Sequence, residues 1–169
     1  FGHFFSVGRR YLKRYYEAVE EGKSTEEAYR MAIDHGVTSE LSYLGYYVSS
    51  VFSYADLEAN FQGLLFGIAL CTGEEPMIKK VSDEWVLTKK INFSQTYVNP
   101  HFDETFNPSH FLESRWEKVQ KIFSNEYCSS LQTEQYQSRH SAYQSRSQAS
   151  FSVQYLKTKI KEGELSQMR

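Results

Sequence analysis

Four polar side chains, Asp56, Glu58, Asn60 and Gln62, interrupt an otherwise apolar run from Leu41 to Cys71. Polar groups in such a run must be satisfied internally or put to use. Two carboxylates can do acid–base work, but only if they converge. On a helix Asp56 and Glu58 point about 200° apart, so they form no paired-carboxylate site alone. Asp56 suits the first turn of a helix capped by Ser53, where a carboxylate complements the helix dipole. Asn60 lies one turn beyond Asp56 and Gln62 one turn beyond Glu58, spacings that allow side-chain hydrogen bonds or a polar pocket. Glu58 has the least local explanation. Glu40, at a helix end, reads as a terminal carboxylate.

A second cluster is His101-x-Asp103-Glu104-x5-His110. Imidazole and carboxylate are good ligands for zinc, iron or manganese. The spacing matches no standard metal motif and lacks the two-histidine helical turn of many zinc hydrolases. The competing reading makes Asp103 and Glu104 turn residues and leaves the histidines on the surface. His3 stands near the start of the first helix, where it could donate to the same pocket as the loop; the competing reading is a packed or exposed histidine. There is no Gly-x-Ser-x-Gly elbow and no phosphate-binding glycine loop followed by Lys-Ser/Thr. Neither Cys71 nor Cys128 has a sequence context that activates a thiol.

Helices must position these groups. Phe4, Gly8, Tyr11, Tyr15 and Val19 recur at steps of three and four, which predicts a helix from Gly2 to Glu21. Ser24-Thr-Glu-Glu27 is a capping box and opens a second helix, for which Gly36 is the natural stop. A third helix is expected from Thr38 or Ser39 through Phe52, and a fourth from Ser53 to about Leu70. Ala59, Gly63 and Gly67 give the fourth a small-residue stripe suited to close backbone approach. The β-prone runs 84–88 and 91–93 predict one weak hairpin or an irregular extended chain. Segment 97–111 holds two Asn-Pro pairs and reads as an ordered, aromatic-anchored loop. Asn107 and Pro108 can open a fifth helix to about Tyr127. Residues 132–152 are rich in Gln and Ser, with Tyr-Gln-Ser-Arg at 136–139 and again at 143–146; they predict a surface helix or a weakly ordered arm. A short helix follows at 154–161.

The expected fold is therefore mainly α: a bundle of about five helices with a short extended segment around 84–93. Residues 1–131 form the core domain and 132–169 a partly helical C-terminal arm. The 169 residues suffice for a real core. With 19 basic against 21 acidic residues, a dedicated nucleic-acid binder is disfavoured. Tyr and Phe number 13 and 12 against three prolines, which suits a packed helical protein. No apolar run reaches the roughly 18–20 residues of a membrane helix. The chain opens on Phe1, so a signal peptide or anchor upstream stays open, and membrane association is expected only through such a segment. The composition leans toward export. In that setting Cys71 and Cys128 could pair; in the cytosol they would be free thiols.

Two functions compete. The first is a non-catalytic helical domain that contacts another protein. The second is a hydrolase using Glu58, Asp56, His101 and Asp103 where the 97–111 loop meets the start of the fourth helix. In its metal-dependent form a divalent ion is held by His101, Asp103, Glu104 and His110. No other cofactor is implied.

Overall fold

The computed structural model describes residues 1–72, 75–146 and 148–165. In chain order the α-helices are α1 (Gly8–Glu20), α2 (Thr25–Glu40), α3 (Tyr46–Ser49), α4 (Tyr54–Cys71), α5 (Phe93–Thr96), α6 (Glu113–Ile122), α7 (Glu134–Ser145) and α8 (Phe151–Lys161). The strands are β1 (Val51–Phe52), β2 (Ile78–Val81), β3 (Glu84–Leu87) and β4 (His110–Phe111). The mainly α expectation holds, but among the described residues there are eight α-helices and two two-stranded sheets. The expected count of about five helices is exceeded. The chain divides into two compact units, residues 1–36 with 56–99 and residues 37–55 with 100–169.

In the first unit a π-helical turn, Gly2–Val7, leads into α1. The Ser24–Glu27 capping box forms: the Ser24 amide donates to Glu27 Oε2 at 2.9 Å and the Glu27 amide to Ser24 Oγ at 3.3 Å. The Ser24 hydroxyl, which donates to Glu27 Oε2 at 2.7 Å, and then the Ser24 amide hold the Glu27 carboxyl below its ordinary range. Gly36 does not end α2. A methyl group there would fall 1.5 Å from Tyr11 Oη, so this glycine makes room for a buried tyrosine and the helix continues. The α4 stripe meets α1 and the turn before it, backbone against backbone: a methyl at Gly63 would lie 1.9 Å from the Phe4 carbonyl oxygen. Phe4, Phe66, Phe93 and Tyr97 cluster edge-on or tilted around this junction with ring centres 4.8–6.3 Å apart. The hairpin is β2–β3, with Ile78 opposite Leu87 and Val81 opposite Glu84. Ser82 and Asp83 turn it with φ of 48° and 70°, the left-handed pair that a two-residue hairpin turn requires. Residues 91–93 are not its second strand.

In the second unit the expected third helix breaks. Gly45 is enclosed by the end of α2: a methyl there would sit 2.2 Å from the Glu40 carbonyl oxygen and 2.8 Å from Glu40 Oε2. Ser50, at φ 60°, ends α3. Val51 and Phe52 then pair antiparallel with Phe111 and His110. The same pairing delays the fifth expected helix. His110 and Phe111 are extended, the Leu112 amide donates to the Ser50 carbonyl at 3.0 Å, and α6 starts only at Glu113. The Gln/Ser-rich segment includes α7, capped by Thr133. Both cysteines are free and exposed. Among the described residues no helix is long and apolar enough to cross a membrane.

Candidate functional site

The Gly63 contact sets the height of the first turn over α4, and His3 comes to lie between Asp56 and Asn60. These two residues are one turn apart on α4, so their side chains project from one face. His3 Nδ1 donates to Asn60 Oδ1 at 3.2 Å, and His3 Nε2 faces Asp56 Oδ2 at 3.4 Å. Asn60 Oδ1 only accepts, so Nδ1 carries the ring proton. In the neutral ring Nε2 then presents a lone pair to a carboxylate oxygen, acceptor to acceptor. A cation between the two atoms would relieve that contact. Two ligand atoms each about 2.1 Å from a tetrahedral ion lie about 3.4 Å apart. The separation of Nε2 and Oδ2 therefore suits an ion as well as a proton. Both side chains are about one-third exposed, so the pair can be reached from solvent. Asn60 itself is buried, and its Nδ2 has no hydrogen-bond partner among the described residues.

Glu58 points elsewhere. It is fully buried, and its Oε1 accepts from Gln62 Nε2 and from Asn99 Nδ2, both at 2.8 Å. The helical spacing anticipates Gln62. Asn99 comes from the first Asn-Pro pair and is a partner that no local pattern announces. Glu58 thus ties the 97–99 end of the loop to α4. It is placed to orient the helix turn that carries Asp56 and Asn60, and it presents no surface to solvent.

The loop cluster lies in the second unit, and its members are spread among separate partners. The Asp103 carboxylate accepts from the Thr105 amide at 2.9 Å, from the Thr105 hydroxyl at 2.6 Å, and from Tyr143 Oη at 3.0 Å. Burial works against its charge, but Thr105, Tyr143 and Arg139 together hold its carboxyl below the ordinary range. Glu104 accepts from Ser53 Oγ at 3.1 Å. His110 pairs through Nδ1 with the Tyr46 hydroxyl. His101 is buried against Phe106; burial first, and the nearby Lys157 charge second, push its pKa down. No three of His101, Asp103, Glu104 and His110 bring ligand atoms within 4.8 Å of one another.

Compared with protein-family models, curated proteins and solved structures, the chain matches none of them. Chemistry has to be argued from these side chains alone. Of the groups singled out in the sequence, His3, Asp56 and Asn60 meet, and Glu58 meets Gln62. The partners that sequence reasoning missed are Asn99, Tyr46 and Tyr143. Only Tyr143 had a visible signal, as one of two tyrosines in the seven-residue repeat of α7.

Proposed function

We propose that the chain is a hydrolase whose working pair is His3 and Asp56, with a divalent cation as cofactor. The supporting observation is the facing of Nε2 and Oδ2 at 3.4 Å while Nδ1 is committed to a carbonyl acceptor. Asn60 fixes the ring and its tautomer, in the way an outer partner orients a metal-binding histidine. His3 and Asp56 supply one nitrogen and one oxygen ligand and leave the solvent side open. Glu58 is a positioning residue, because a carboxylate with no exposed surface cannot touch substrate. A cation held there would supply Lewis-acid activation of water, one route to ester and phosphoester hydrolysis. The test uses protein stripped by chelator and dialysed against zinc or manganese, with bound metal measured by elemental analysis and hydrolysis measured on nitrophenyl esters and phosphoesters. One equivalent of metal is expected in the native protein, and its loss together with hydrolysis in His3→Ala and Asp56→Ala. Metal retained equally by both variants ends this reading.

A second reading, protein–protein contact, is favoured by a separate observation. Trp116, Val119, Phe123, Tyr127 and Leu131 form a stripe at helical spacing along α6 and the two turns after it. Phe123, Tyr127 and Leu131 are exposed. The rings follow one another, Trp116 to Phe123 at 6.0 Å and Phe123 to Tyr127 at 5.4 Å. An apolar helix face of this kind fits a groove on another protein. Replacing Phe123 and Tyr127 by Ser is then expected to leave thermal stability unchanged while removing concentration-dependent association in sedimentation. A fall of many degrees in Tm would assign the stripe to the fold instead.

A further inference from the structure

The second unit contains an open cavity of about 530 Å³ that neither reading above uses. One wall is α8, where Val153, Leu156 and Ile160 repeat at steps of three and four. Tyr54 and Pro108 face it. This volume falls in the range that takes a small organic ligand, roughly 300–1,000 Å³. Its rim carries Lys157 and Lys161, one turn apart on α8. Among the described residues neither lysine forms a salt bridge, whereas Lys159 between them is tied to Glu164 at 2.7 Å. The remaining polar groups are the Tyr54 phenol and the Asn107 amide, and no carboxylate lines the cavity among the described residues. Burial, with the Tyr46 phenol adding to it, pushes Tyr54 up to about 12, so its hydroxyl stays neutral at any working pH. An apolar trough ending in two lysines that have no acidic partner among the described residues is complementary to one kind of molecule.

We propose that this cavity binds a fatty carboxylate of medium chain length, its chain along Val153, Leu156 and Ile160 and its carboxylate between Lys157 and Lys161. The apolar wall alone would accept any short hydrocarbon. The two lysines select the anion, since an ammonium at the same end would meet like charge. The site would deliver binding and not chemistry, as no nucleophile lines it.

The test titrates the full chain with octanoate, octan-1-ol and octylamine, each below its aggregation limit. Binding is followed by calorimetry and by methyl NMR shifts of the α8 residues. Octanoate is expected to saturate one site and to bind at least about tenfold more tightly than octylamine. Lys157→Gln with Lys161→Gln should weaken octanoate about tenfold and leave octan-1-ol unchanged. Leu156→Trp should fill the trough and abolish both. The lysine pair is exposed, so that variant keeps the proposal testable even where the tryptophan disturbs folding. Equal binding of octanoate and octylamine, unchanged octanoate affinity in the lysine variant, or no saturable octanoate binding each overturns it.

Discussion

Gly63→Ala probes the contact on which the candidate site rests. The added methyl would lie 1.9 Å from the Phe4 carbonyl oxygen, 2.9 Å from the Phe4 carbonyl carbon and 3.1 Å from Gly8 Cα. All three are backbone atoms, so no rotamer change relieves the clash, and α4 and the first turn must part by about 1 Å. Overpacking of this kind costs about 1–3 kcal/mol, and more where backbone must move. Against it stands the gain of alanine over glycine inside a helix, about 1 kcal/mol. A net loss of about 2 kcal/mol is expected, which is a large share of a small protein's stability. Gly67→Ala is the control. Its methyl would meet Leu12 Cδ2 at 2.6 Å, the flexible end of a side chain, so the propensity gain should nearly cancel the cost. Urea denaturation followed by far-UV circular dichroism measures both. The refuting result is a Gly63→Ala protein as stable as the native one, or one no weaker than Gly67→Ala. Because the same separation lifts His3 from Asp56, Gly63→Ala should also weaken any metal binding at that pair.

Three further outcomes concern buried polar groups. Glu58→Ala removes the oxygen that serves both Gln62 and Asn99 and leaves two amide donors without it, at about 1–3 kcal/mol for each buried donor. Glu58→Gln keeps a carbonyl oxygen for both and should recover most of that loss in a denaturation experiment. Tyr143→Phe deletes a hydrogen bond to the Asp103 carboxylate and should cost about 1 kcal/mol by the same measurement. His101 has a folded pKa below its ordinary 6.5, so its contribution to stability is present above that value and is lost as pH falls through the window beneath it. Asp103 acts in the same direction below 3.8. The urea midpoint should therefore fall from pH 7.5 to pH 5.5, and His101→Gln should flatten that part of the profile; a midpoint that rises on acidification contradicts the assignment.

Local pattern made the helices around the candidate site legible. The Ser24–Glu27 box, the stripe from Phe4 to Val19 and the small residues of α4 all point to packed helices, and Gly63 does serve close approach. The third helix expected through Phe52 is where that reading fails. Tyr46 to Phe52 looks helical by spacing, but Val51 and Phe52 are as suited to strand, and pairing with His110 and Phe111 decides between the two. That partner lies some sixty residues away, so no window of local sequence contains it. The same holds for the site. Asp56 and Asn60 could be matched by helical spacing, whereas the meeting of both with His3 depends on two glycine backbones touching. Gly36 shows the ambiguity of a single residue type: a helix stop and a gap left for Tyr11 look identical in one dimension.

The pairing of β1 with β4 also orders events during synthesis. Residues 37–55 emerge from the ribosome well before residues 100–112, and the whole of 56–99 is made in between. At about 10 residues per second, Val51 waits about six seconds for Phe111. Over that interval the unit built from 1–36 and 56–99 can complete itself, while Tyr46 and Phe52 remain without His110, their later neighbour. A nascent chain halted near residue 100 should therefore be captured by chaperones through the 41–52 segment. Neither unit can be obtained by cutting the chain once, since each is made of two separate stretches.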